Sequence, residues 1–237
     1  MSRRKWITFS GVVFLALVLL VVSPLALWAQ TGRPPWSVAA YVFSDELKVV
    51  LGGPAVPTET NMAQYTAKRV ALLRQLAQQE PNQEMEAVLV FNSFLSANET
   101  AALVTQHHLR AEEIYLAVPN MQGGGGATVF FSIREAYDNY VQGWKTQLEQ
   151  LKAKEEELRS HGIDPSSVFE RGQAIINGKA GIYAVRVRGR LADLAASLEG
   201  PVRLVDVFYA PEVEAMARVL RKPVRYVVSP WRPDGLR

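Results

Sequence analysis

Cysteine is missing altogether, and histidine occurs only three times in 237 residues. The first absence excludes disulfides, thiolate zinc sites, c-type haem attachment, thiol redox chemistry and cysteine nucleophiles. The second leaves little for metal ligation. His107 and His108 lie near Glu112 and Glu113, but adjacent helical residues project about 100° apart. No His-Glu-x-x-His spacing brings two ligands to one helix face. His161 closes a helical run, where a cation suits the helix dipole. The Gly-x-Ser-x-Gly elbow of serine hydrolases is lacking too. Gly123 to Gly126 lead into β-forming residues rather than Gly-Lys-Ser/Thr, so they do not make a phosphate loop and read as a flexible loop over Met121–Gly126. Glu155, Glu156 and Glu157 are consecutive on a helix and point in different directions, as a solvated face does. No catalytic, cofactor-binding or metal-binding residue is therefore assigned.

Negative charge is absent before Asp45, and charge of either sign is absent from Ile7 to Trp28. That apolar run makes a helix of roughly 33 Å, close to the ~30 Å hydrocarbon core of a bilayer. Trp6 and Trp28 bracket it at headgroup level, and Arg3, Arg4 and Lys5 precede it, which places the N-terminus in the cytoplasm and the remainder outside. The competing reading is a cleaved signal peptide ending near Ala29, which would give a secreted protein. The net charge of +3 comes from Arg3, Arg4 and Lys5 alone; without them the 26 basic residues fall to the same number as the 23 acidic ones. A neutral outer body argues against nucleic acid as a partner, because phosphate binding needs concentrated positive charge. Arg218, Arg221, Lys222, Arg225 and Arg232 form the one local basic excess, read as a solvated face with lipid headgroups or a cell-wall polymer as the functional alternative.

With 49% apolar residues the chain can bury a core. The expected organisation is a cytoplasmic N-terminus (1–6), a transmembrane anchor or signal peptide (7–28), a Pro-Pro linker (29–36), an extracytoplasmic α+β domain (37–230) and a tail (231–237). Within the domain, Ser37–Phe43 and Lys48–Leu51 read as strands. Glu59–Glu80 is helical by the spacing of Met62, Tyr65, Arg69, Leu72, Leu73 and Leu76. Ala87–Phe91 is a continuous apolar run, as in a strand buried on both faces. Ser96 and Glu99 form a capping box for a helix to about Gln106, which accounts for the Asn98-Glu99-Thr100 sequon more simply than glycosylation does. Ile114–Val118 and Thr128–Ile133 read as strands, and Arg134–Ser160 as the longest soluble helix. A short helix follows near Ser167–Arg171, then Ile182–Arg188 as a strand with Tyr183, Val185 and Val187 on one face, a helix at Leu191–Leu198, a strand at Val202–Phe208, a helix at Glu212–Leu220 and a strand at Val224–Val228.

Ala87–Val118 and Gly181–Phe208 share the order strand, helix, strand. Two such βαβ units can interleave into a four-stranded ferredoxin-like sheet with the long helix inserted between the halves; two small lobes or one larger mixed sheet are the alternatives. In its strand ending in Gly, its short Leu/Ala helix and its Val-Arg-Leu-Val-Asp strand, Gly181–Phe208 resembles the propeptide domains of subtilisin-type proteases. That resemblance spans those residues alone and implies a protease-inhibitor-like or sensor domain as one reading.

In the long helix, Tyr137, Val141, Trp144, Leu148, Leu151, Glu155 and Leu158 step by four and three, a heptad seam. It serves either packing within the domain or a partner helix and self-association through Tyr137, Val141, Trp144, Leu148 and Leu151. The reading that results is a single-pass, membrane-anchored extracytoplasmic protein acting as a non-enzymatic interaction or assembly module, with an envelope hydrolase using an unrecognised constellation as the alternative.

Overall fold

The computed structural model describes residues 45–54 and 59–235. The apolar run Ile7–Trp28, the Pro-Pro linker and the expected strand Ser37–Phe43 lie outside them. Among the described residues no helix is long and apolar enough to cross a membrane.

The chain is mixed α+β. In order, its elements are β1 (Leu47–Leu51), α1 (Glu59–Gln79), β2 (Glu84–Leu95), α2 (Ala97–Gln106), β3 (Arg110–Ala117), β4 (Gly125–Thr128), α3 (Ile133–Ala153), α4 (Glu155–Ser160), α5 (Ser166–Ile176), β5 (Gly181–Arg190), α6 (Leu191–Ala196), β6 (Val202–Val207), α7 (Pro211–Leu220) and β7 (Val224–Val228). They fall into two compact units. The smaller holds described residues 45–49 and 210–226, the larger 50–209 and 227–235.

The larger unit is built on a five-stranded sheet of order β4-β3-β5-β2-β6, antiparallel at every step. Thus the first strands of the two strand–helix–strand units, β2 and β5, lie side by side, and their second strands, β3 and β6, flank them. Ala87, Val88, Leu89, Val90 and Phe91 of β2 are all fully buried. Ala87, Leu89 and Phe91 pack with Val185, Val187, Val205 and Val207 against Leu73, Leu103, Val104, Ile133, Ala136, Leu191 and Leu194 from α1, α2, α3 and α6. This one helix-covered face follows from the period of two in a strand meeting the apolar stripe of each helix. Ser96 caps α2 with the full reciprocal box: its Oγ accepts from the Glu99 N–H, and the Glu99 carboxylate accepts from the Ser96 N–H.

The heptad seam is spent inside this unit. Trp144 and Leu148 are buried; Tyr137, Val141 and Leu151 are half-buried. Trp144 clusters with Val118, Ala174, Ile175 and Ala180, and meets Tyr140 edge to face at 6.5 Å. A methyl group built on Gly172 of α5 would lie 2.8 Å from Leu148 Cδ2, so only glycine lets α5 close on the seam. The Tyr137 hydroxyl donates to the Ala180 carbonyl at 3.0 Å. The seam is also shorter than its spacing suggests. Lys154 leaves helical geometry, and Glu155, Glu156 and Glu157 begin a new helix, where three carboxylates suit a helix N-terminus.

In the smaller unit, Val213 and Ala217 of α7 pack with Leu47 and Ala210, with Val49, Met216, Leu220, Val224 and Tyr226 around them. Arg225 pairs with Glu46 at 3.2 Å. Arg218, Arg221 and Arg225 are exposed, as a solvated face requires. Arg232, in the larger unit, is not on a solvated face: it is 1% exposed.

Candidate functional site

The residues that stand out as a site are those at the β4 edge. Of Met121–Gly126, expected as a flexible loop, only Gly125 and Gly126 belong to a strand, and the strand expected at Thr128–Ile133 ends at Thr128 instead. Close packing explains the glycines. A Cβ on Gly124 would sit 2.9 Å from the Leu116 carbonyl, on Gly125 2.7 Å from the Tyr140 ring, and on Gly126 2.7 Å from a Glu113 carboxylate oxygen. The glycines therefore let Tyr140, Glu113 and Tyr183 press against bare backbone; they do not confer looseness. The end of the strand is legible in the sequence. Ser132 and Glu135 repeat the Ser96/Glu99 spacing, and the Ser132 Oγ accepts from the Glu135 N–H at 3.1 Å to start α3.

β4 pairs with β3 in register, Glu113 opposite Thr128 and Leu116 opposite Gly125. The Val129 N–H donates to the Glu112 carbonyl at 2.9 Å. Backbone groups alternate sides along a strand, so those of Gly126 and Thr128 point away from β3. Among the described residues β4 is the terminal strand of its sheet, and from Ile114 to Ile133 the sequence carries no charge. Phe130 and Phe131 close the segment with 79% and 87% exposure. Two adjacent, nearly bare phenylalanines follow this edge, and β4 itself holds no lysine or proline to guard it, although the Glu113 carboxylate packs against Gly126.

A cleft of about 220 Å³ lies against this strand, lined by Tyr115, Gly124, Gly125, Tyr183, Val228, Ser229 and Pro230. Tyr183 reaches it because the pairing of β5 shifts register on both sides between Ile182 and Ala184; Ile182 packs in the helix-covered core with Val185 and Val187 while Tyr183 does not. This corrects the simple alternation expected for Tyr183. Burial pushes the Tyr183 phenol up to about 12. Burial, then the hydrogen bond to Glu113, raise Tyr115 as well. Both phenols stay protonated at ordinary pH and can offer hydrogen bonds.

Behind the cleft Arg232 fixes the segment that follows β7. Its guanidinium donates to the carbonyls of Met121 and Gly123, both at 2.8 Å, to Val118 at 2.9 Å and to the Asp234 carboxylate at 2.5 Å. Phe94 and Tyr183 flank it at 5.7 and 6.0 Å from their ring centres. An arginine with this many backbone acceptors is a structural clasp.

The face of the sheet away from the helices carries a charge ladder. Glu86 accepts from Arg186 and Arg188, and Glu112 lies 3.0 Å from Arg110, 3.5 Å from Arg188 and 3.8 Å from Arg186. Burial pushes the Glu86 carboxyl up, but the two arginines outweigh it and hold it below the usual carboxylate range. A second recess of about 340 Å³ at one end is lined by Glu84, His108, Arg110, Arg188, Gly189, Arg190 and Asp193. Its arginines are already paired, Arg190 with Asp193 at 2.7 Å, so the recess has little net charge with which to attract an ion.

The remaining sequence candidates do not converge. His107 caps α2, His108 is exposed in the turn after it, and His161 Nδ1 lies 2.7 Å from the Glu157 carbonyl and 3.3 Å from Ser160 Oγ at an exposed helix end. Glu155 pairs with Arg159 at 2.9 Å. Among the described residues no group of three or more His, Asp or Glu is placed to hold a metal ion. Comparison finds no family model, no curated protein and no solved structure that matches this chain.

Proposed function

We propose that this protein is a single-pass, membrane-anchored extracytoplasmic interaction module, its N-terminus cytoplasmic, whose two βαβ units pair in the ferredoxin-like manner and present the β4 edge to a partner. The observation that supports the reading is that edge: among the described residues, the backbone groups of Gly126 and Thr128 point away from β3 without a partner, and two exposed phenylalanines follow the strand. An edge of this kind is a template for an added strand, with main-chain hydrogen bonds supplying affinity. The tether on Ile7–Trp28 makes a weak contact effective, because confinement raises the local concentration. The hydrolase alternative needs a nucleophile, a base and a carboxylate in one cleft; the 220 Å³ cleft is lined by Ser229 and two phenols, with no histidine or carboxylate in its lining.

A photo-crosslinking residue at Thr128 in native membranes tests this, with the exposed Lys145 of α3 as control. A discrete adduct from position 128 and none from 145 is expected; no adduct, or the same pattern from both, refutes the reading. A protease applied to the outer side of sealed cells should digest the folded region, and its protection would refute the topology.

A further inference from the structure

We propose that the 220 Å³ cleft beside Gly124 and Gly125 is a binding site for a neutral sugar ring. The observation behind it is the Tyr183 hydroxyl. Tyr183 is only 7% exposed, yet among the described residues its hydroxyl has no hydrogen-bond partner. A phenol this deep ordinarily finds one. Its aim is built into the sheet. Ala184 and Ile182 pair with the consecutive residues Tyr115 and Leu116 of β3, so Tyr183 is an extra residue between them. A bulge of this kind turns a side chain out of the strand's alternation, and bulges gather next to functional sites. Gly124 leaves the hydroxyl uncovered, since a Cβ there would lie 3.4 Å from it. The Val228–Pro230 wall is tied to the loop before β4 by Arg232, which donates to the carbonyls of Val118, Met121 and Gly123. Walls fixed before a ligand arrives lower the cost of binding it.

The lining decides the class of ligand. It holds no charged side chain, so nothing in it would balance a phosphate, a carboxylate or an ammonium group. It does hold the hydroxyls of Tyr115, Tyr183 and Ser229, and their capacities differ. Tyr183 can both donate and accept. So can Ser229, whose hydroxyl also has no partner among the described residues. The Tyr115 hydroxyl already donates to Glu113 at 2.6 Å, which leaves it an acceptor only. The complement is a ligand whose groups donate and accept alike, as ring hydroxyls do; a ketone or an ester only accepts. Val228, Pro230 and the bare backbone of Gly124 and Gly125 meet the C–H faces of such a ring. At ~30 Å³ per water the cleft has room for roughly seven waters, and the hydroxyls of one sugar ring can take the places of those that bond to the lining. This ligand is distinct from the strand partner proposed above, and Tyr183→Phe leaves the outward groups of Gly126 and Thr128 untouched.

The test uses the full-length chain in a detergent without a sugar headgroup. Equilibrium dialysis measures the binding of labelled glucose, galactose, mannose and N-acetylglucosamine, and of the linear tetramer of the last. Saturable binding of at least one of these is expected, and Tyr183→Phe should weaken it roughly tenfold. The same substitution should leave the melting temperature unchanged or raise it, because it removes a buried hydroxyl that bonds to nothing in the free chain. Ser229→Ala should weaken binding without changing the melting curve, and Ser229→Phe should abolish it by filling the cleft. Tighter binding of the tetramer than of its monomer would assign the sugar to a glycan chain, and equal binding to a single free ring. No saturable binding of any of these sugars, or binding that survives Tyr183→Phe, would overturn the proposal and leave a cleft that holds water alone. A lowered melting temperature in Tyr183→Phe would show that the hydroxyl serves the fold, and would overturn it too. Failure of the Thr128 crosslink would end the strand-partner reading and leave this site standing.

Discussion

β6 and β4 are the two terminal strands of one sheet, and they are finished in different ways. Along β6, Asp206 is fully buried. It accepts from the Gly52 N–H at 2.6 Å, from the Tyr65 hydroxyl at 2.5 Å and from the Arg69 guanidinium, and Arg69 also takes the outward carbonyls of Val207 and Tyr209. Every device that blunts an edge is present: a covering helix, a charge turned inward and carbonyls already occupied. Along β4 the outward groups of Gly126 and Thr128 have no partner among the described residues, and the side chains are hydrogen atoms, a methyl and a hydroxyl, with two rings just beyond. Among the described residues, then, one edge is guarded by a buried ion pair and the other is not.

The largest effect expected from breaking this contrast lies on the guarded side. Asp206→Ala leaves Arg69 buried without its partner and should cost about 3–5 kcal/mol in denaturant unfolding. Next is the packing that supports β4 from beneath. Trp144→Ala should cost about 3 kcal/mol, so weaker association in that variant would report lost folding and not a lost interface; an unchanged unfolding midpoint would show that the seam faces outward after all. Gly125→Ala drives a methyl into Tyr140 and should cost about 1–3 kcal/mol, measurable as a lowered melting temperature. A smaller effect belongs to the charge ladder. Because the folded Glu86 carboxyl is held below its usual range, its contribution is present above the unfolded value of ~4.3 and is lost as pH falls through the folded value. Glu86→Gln should flatten that acid limb by under about 1 kcal/mol, since these side chains are 20–41% exposed and screened. Thr128→Pro should be the mildest of all for stability, within about 0.5 kcal/mol, because the lost N–H points away from the ladder.

How much of this was legible in the residues differs by element. The burial of Ala87–Phe91, the Ser96/Glu99 cap, α1, α7 and the strand–helix–strand order at both halves follow from local period and capping. Three features did not. Gly123–Gly126 looks like a loop because propensity records the entropy of glycine, whereas here Tyr140 and Glu113 need the space a side chain would fill. Arg232 looks like one cation among several near the C-terminus, and only folding brings the carbonyls of Val118, Met121 and Gly123 around it. Tyr183 looks like a member of an alternating face, and the register shifts beside it come from both neighbouring strands.

The sequence by itself determined where most of the helices and strands lie, that thiol chemistry is excluded, and that the charge balance beyond Lys5 is even, because these depend on residue type and on spacing over a few positions. Tertiary structure alone decided that the heptad seam is packed within its own chain, that β6 is guarded while β4 is not, and that part of a glycine run is a strand. Each of those depends on which distant backbone comes within ångströms, and short-range spacing carries no record of that.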